Sequence, residues 1–178
     1  KGSSFEQEIN PRSVAIVTTT FYKTFGGENQ NTSDELRGEL ALKTLTLAKE
    51  RGYQIALVDG GSSSAFLEQL QQMGITPSSE KVRGMSASRQ QGFEEVSRLE
   101  GVEFICWTEP EKISMISDCL LEAARPLRDG RADVVVPKRD SEAWETYPDY
   151  QAKSEQRANK LWNAIVKKEG LLPKEAED

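Results

Sequence analysis

The sequence predicts an α/β fold, a mainly parallel sheet with helices on both faces. Short apolar runs at residues 13–20, 54–59, 102–107 and 132–137 each stop at polar or turn residues. Runs this short and continuous suit strands buried on both faces of a parallel sheet. Segments with the apolar spacing of helices separate them, which implies right-handed crossovers between parallel strands. At 178 residues the chain has the length of one domain with a sizeable core.

Residues 1–12 are polar, lack periodicity and contain Pro11, and they read as a tail. The first strand, 13–20, ends in the hydroxyls of Thr18, Thr19 and Thr20. Residues 21–31 form a Gly/Asn-rich loop, long for a strand-to-helix connection and of a length often used functionally. Ser33 or Asp34 caps a helix whose apolar set is Leu36, Leu40, Leu42, Leu45 and Leu47, closed near Gly52. The second strand runs through Ile55, Ala56, Leu57 and Val58 into Asp59, two glycines and three serines. One of those serines caps a helix from about 65 to 73, which residues 74–77 (Gly-Ile-Thr-Pro) break.

Residues 81–83 are at most a short strand. A helix follows over about 86–99, stopped at Gly101, then the strand at 102–107, its outgoing turn at 108–112 and a helix over about 113–127. After the strand at 132–137, residues 138–150 are charged and aromatic. Trp144, Tyr147 and Tyr150 either line an acceptor site or partner surface or pack on the sheet edge. A last helix spans about 153–168, with Ala158, Leu161, Trp162, Ile165 and Val166 among its apolar residues. The reading is one domain over 13–170 and an acidic tail at 171–178, without internal repeats.

The balance of 23 basic against 29 acidic residues argues against a general nucleic-acid binder. No run is apolar enough to span a bilayer, and no signal-like segment opens the chain, so the expected location is cytoplasmic. Cys106 and Cys119 have neither metal spacing nor a disulfide framework and read as buried free thiols. There is no histidine, so acid–base or metal chemistry must rest mainly on carboxylates.

Thr18, Thr19, Asp59, Glu109 and Glu111 all fall at strand carboxyl ends, which share one edge of a parallel sheet. Asp59 is either a ligand contact or a capping residue of its turn. Glu109-Pro110-Glu111 suits Mg²⁺ or Mn²⁺, which take oxygen ligands and bridge carboxylates to phosphates. Alternatively, the two acids complement the N-terminus of the next helix. Residues 84–92, Gly-Met-Ser-Ala-Ser-Arg-Gln-Gln-Gly, lead into a helix whose amides and Arg89 could serve a phosphate. The alternative is an ordinary cap with a solvated arginine. Gly26-Gly27 is not a P-loop, since no Lys-Ser or Lys-Thr follows.

In their order and spacing over about residues 14–166, these pieces resemble the Rossmann-like GT-A fold of nucleotide-sugar glycosyltransferases, family-2 type. In those enzymes a strand commonly ends in Asp-Asp-Gly-Ser or similar, here Val58-Asp59-Gly60-Gly61-Ser62. A Gly-x-x-x-Ala-Arg-Asn-x-Gly segment often opens the third helix, here residues 84–92. A hydrophobic strand then delivers Asp-x-Asp, here Glu109-Pro110-Glu111. The next strand usually ends near a basic residue, here Lys138-Arg139. Residues 156–162 look like the following helix of dolichol-phosphate-mannose-synthase-like members.

The resemblance implies a glycosyltransferase, of hexosyltransferase type, that takes a nucleoside-diphosphate sugar and passes the sugar to an unidentified acceptor. It assigns nucleotide binding to Thr18, Thr19, Asp59, Gly60 and Arg89. Glu109 and Glu111 take the site of a divalent cation, Mn²⁺ or Mg²⁺. Glu-x-Glu departs from Asp-x-Asp by a methylene per arm, and Lys112 offers another way to neutralise a diphosphate. The chain also stops where such enzymes usually supply more acceptor-side structure, with Glu142, Glu145 and Asp149 nearest that region. Two other functions fit the sequence: a nucleotidyltransferase acting on a sugar phosphate, and a non-catalytic nucleotide-sugar-binding module.

Overall fold

The computed structural model describes residues 8–28, 32–137, 142, 145 and 149–170. Residues up to Val136 make one compact unit and those from Pro137 a second, where the sequence reads a single domain over 13–170. Lys138, Arg139, Trp144 and Tyr147 lie outside the described residues.

In the first unit, β1 (Val14–Thr20), α1 (Ser33–Glu50), β2 (Gln54–Asp59), α2 (Ser64–Gln72), β3 (Ser78–Ser79), α3 (Met85–Val96), β4 (Phe104–Trp107) and α4 (Leu120–Arg128) alternate as expected. The four strands form one parallel sheet in the order β3-β2-β1-β4. Strand alternation sorts β1 between two cores. Val14 and Ile16 pack with Ala48, Ile116 and Leu120 on the α1/α4 face, while Ala15 and Val17 pack with Ala56 and Val96 on the α3 face. A third cluster joins Leu42, Leu45 and Leu57 to Phe66 and Leu70 of α2.

Local chemistry sets the ends. Thr32 caps α1, one residue before the expected Ser33 or Asp34, by accepting from Glu35 N. Ser63 caps α2 by accepting from Phe66 N. Past α1, Gly52 takes φ +82°, a conformation open to glycine without steric cost. Met115–Cys119 form a single π turn ahead of α4. Arg51 Nη1 donates to two carbonyls of this turn, Ile116 O at 2.7 Å and Ser117 O at 2.6 Å.

Several expectations need correction. Residues 132–137 form no strand: among the described residues they join no ladder, and Val134 and Val136 are 76% and 83% exposed. The short strand is Ser78–Ser79, not 81–83, because Lys81 N is taken by the Gln91 side chain. Leu36 is exposed, and α1 instead buries Gly38, Ala41, Leu42, Thr44, Leu45 and Ala48. The presumed tail holds a 3₁₀ turn, Pro11–Ser13, capped by Asn10. The long loop after β1 is anchored: Tyr22 and Phe25 are buried and meet Phe66 edge-on at 4.8 and 5.4 Å between ring centroids.

Both cysteines are free and half-buried. Burial pushes the Cys106 thiol up to about 11. In the second unit α5 (Asp149–Lys168) is a 20-residue helix with no buried residue. No helix among the described residues is long and apolar enough to cross a membrane.

Gly92 of α3 is a packing residue: a Cβ there would stand 2.6 Å from Val17 Cγ1. Gly92→Ala is expected to lower stability by about 1–3 kcal/mol from overpacking, although alanine is intrinsically the better helix former. Urea unfolding of Gly92→Ala, with and without Val17→Ala, checks this. Relief of the loss in the double variant identifies the clash, and a more stable single variant contradicts it.

Candidate functional site

The parallel register brings the ends of β1, β2 and β4 to one edge. Thr20 pairs with Asp59, and Val17 pairs with Trp107. Glu109, two residues beyond β4, therefore leaves the sheet at the same edge as Asp59.

Asp59 is buried and holds its turn together. Its Oδ1 accepts from Thr20 Oγ1 at 2.8 Å and Ser62 Oγ at 2.5 Å, and its Oδ2 from Gly61 N at 2.8 Å and Ser62 N at 2.9 Å. Such side-chain-to-backbone bonds are how Asp stabilises a turn. Gly60 N donates to Thr20 O at 2.9 Å, so Gly60 prolongs the β1–β2 pairing. Thr18, expected at the nucleoside, is fully enclosed, and its hydroxyl donates to Thr108 O at 2.9 Å. It ties β1 to the exit of β4 and presents nothing to solvent. Thr19 is half-buried and lies on the Ala15/Val17 face, the side of α3.

The N-terminus of α3 carries an anion from its own chain. Gly84, at φ +131°, supplies no side-chain cap. Glu80 Oε1 does so from outside, accepting from Gly84 N at 2.8 Å and Ser88 Oγ at 2.5 Å. The Ser88 bond first, then the Gly84 amide, holds the Glu80 carboxyl below the usual carboxylate range. A negative charge here also suits the helix dipole.

On the α3 side of the same edge, the Arg89 guanidinium lies over the Trp107 ring, 3.9 Å from its centroid. Both residues are half-buried. Arg89 Nη2 approaches Met85 Sδ at 2.9 Å. Two donors, Arg89 Nε and Trp107 Nε1, are buried without a hydrogen-bond partner. An unmet buried donor costs about 1–3 kcal/mol, and more when charged, so these two N–H groups are the candidate donors at this edge.

The two glutamates are differently engaged. Glu111 Oε1 accepts from Tyr22 Oη at 2.7 Å and pairs with Arg37 Nη2 at 2.7 Å, with its side chain 13% exposed. Burial first, then the Glu111 bond and charge, push the Tyr22 hydroxyl well above the usual tyrosine range, so it stays a protonated donor. Glu109 is 57% exposed and stands 3.6 Å from Lys112 Nζ. A cation at Glu111 would have to displace the Arg37 pair and compete with the Tyr22 hydroxyl. No group of three or more potential metal-ligating side chains occurs among the described residues.

Sequence reasoning passed over Glu80, Trp107, Tyr22 and Arg37. An aromatic at a strand's last position, opposite an arginine in the next-to-edge helix, was the readable signal for Trp107. The partners of Glu80 and Glu111 emerge only from the fold. No protein-family model, curated protein or solved structure matches the chain.

Because the folded Glu80 carboxyl is depressed, its contribution to the start of α3 is complete above the ordinary glutamate range and lost as pH falls through the lowered value. The Gly84 amide resonance is expected to titrate with a midpoint below that of an ordinary glutamate and to lose the titration in Glu80→Gln. A midpoint at or above the ordinary value would remove Glu80 as the cap.

Proposed function

We propose that the chain is a GT-A-like glycosyltransferase domain that binds a nucleoside-diphosphate sugar, with Arg89 and Trp107 receiving the diphosphate. The observation that carries this reading is the stacked pair with two buried, unmet N–H donors at the sheet's carboxyl edge. Ligands of open α/β sheets bind in that crevice. A guanidinium forks onto phosphate oxygens, and an indole N–H adds a neutral donor beside it. The order of motifs along the chain supplies the family side of the argument.

A cationic donor pair stabilises negative charge as it develops on a leaving diphosphate, the electrostatic role that a metal fills elsewhere. Glu111 is committed to Arg37 and Tyr22, so the reading routes no step through Mn²⁺ or Mg²⁺. A second reading, a nucleotide-sugar-binding module without turnover, is favoured by the internal engagement of Asp59 and Glu111, which leaves neither carboxylate free as a base.

Calorimetric titration of the 178-residue chain with a panel of nucleoside diphosphates tests the site. Arg89→Met is expected to weaken binding by about tenfold or more, the loss of a charged hydrogen bond. Trp107→Phe, which keeps the ring and removes the N–H, is expected to weaken it less. Affinity is expected to be equal with Mn²⁺ and with a chelator. Unchanged affinity in folded Arg89→Met would sink the diphosphate assignment, and tighter binding with Mn²⁺ would restore the metal. Release of nucleoside diphosphate from a bound nucleotide sugar separates the transferase from the binding module.

A further inference from the structure

α5 spans about 30 Å at helical rise and buries none of its residues. On the helical period, Ala158, Leu161, Trp162, Ile165 and Val166 share one face. Leu161, Trp162 and Ile165 are 64%, 66% and 45% exposed. The neighbouring arc carries Lys153, Arg157, Lys160, Lys167 and Lys168 against only Asp149 and Glu155 on the whole helix. The rest of the chain has 18 basic residues against 27 acidic. Among the described helices, the one with most basic residues in this acidic protein thus also carries an exposed apolar face.

From this segregation we propose that α5 binds an anionic lipid surface, lying in the plane of the interface. Leu161, Trp162 and Ile165 enter the boundary of the acyl chains while Arg157 and Lys168, which border that face, reach the headgroups. Basic residues beside a Trp/Leu face are the chemistry of a peripheral membrane helix, indoles favour the interface, and long cationic side chains keep their charge in water above a buried stem. A protein groove would take the same i, i+3, i+4, i+7 anchors but gives no role to the basic arc that borders them, whereas an anionic lipid surface uses both. Here the apolar face stops at Ala158, and the positions continuing it toward the N-terminus are Glu155, Ser154 and Gln151. A short face of two turns suits shallow insertion. The acidic remainder repels such a surface, which confines binding to this helix.

Flotation of the full chain with vesicles of phosphatidylcholine alone, and of phosphatidylcholine with phosphatidylserine, tests the proposal. The chain is expected to float with the anionic vesicles only, and less as salt rises. Leu161→Gln/Ile165→Gln is expected to abolish flotation. Arg157→Gln/Lys160→Gln is expected to lower partitioning by about tenfold or more. These positions are exposed, and an unchanged far-UV circular dichroism spectrum confirms that each variant folds. No flotation with anionic vesicles, equal flotation with neutral ones, or wild-type flotation of the Leu161→Gln/Ile165→Gln variant would overturn it. So would a wild-type dimer that the same variant makes monomeric, which would assign the face to a second copy of the chain.

Discussion

The contact between Gly92 and Val17 sets the height of α3 above the sheet, and the candidate site follows from it. With no Cβ at Gly92, α3 can lie directly on β1. Val17 is also the residue that pairs with Trp107 across the β1–β4 ladder. Arg89 sits three residues before Gly92, on the same face and one turn nearer the helix start. The helix backbone, lowered onto Val17, therefore carries the guanidinium to the indole beside it. A larger residue at 92 would lift α3, and the 3.9 Å stack would open.

Around that stack the carboxylates serve the fold itself. Asp59 closes its turn with four donors, Glu80 caps α3, and Glu111 joins the loop after β1 to α1 through Tyr22 and Arg37. Each acid accepts from N–H or O–H groups of neighbouring elements, and a charge-assisted bond is worth more than a neutral one. The consequence for chemistry is an asymmetry: Asp59, Glu80 and Glu111 are engaged internally and Glu109 is more than half exposed beside Lys112, while two N–H donors lack a partner. That favours holding an anion over abstracting a proton.

The parts of the fold legible in the sequence were those fixed by local physics. The continuous apolar runs of β1 and β2, the cap before α2 and the stop at Gly52 depend on neighbouring residues alone, and they fall where periodicity and capping put them. The failures were tertiary. Val134 and Val136 have strand propensity, but a strand needs a partner ladder, and strand propensity is a weak guide without one. Leu36 looked like core because it is large, whereas the buried face of α1 is Gly38, Ala41, Leu42, Thr44, Leu45 and Ala48, and Leu36 falls outside it. The loop read at 21–31 drew notice for its length, and in its described part Tyr22 and Phe25 are anchored in the core. Arg89 was legible as a phosphate candidate. Its reason for being unpaired on one edge, the Trp107 platform, depends on a register no local pattern encodes.

Net charge alone would make either anion an unlikely ligand for this chain, at 23 basic against 29 acidic residues. Distance resolves the conflict. Exposed charges separated by more than about 8 Å are largely screened at physiological ionic strength, so a local arrangement decides recognition. The two cationic features meet that condition by different means. Arg89 is half-buried against an aromatic face, where a lower local dielectric strengthens its field and salt weakens it little. The basic arc of α5 is solvated, so it depends on number, with five cations on one helix. On the two proposals the first receives a small anion and the second an extended surface of like charges, and their sensitivity to salt should differ accordingly.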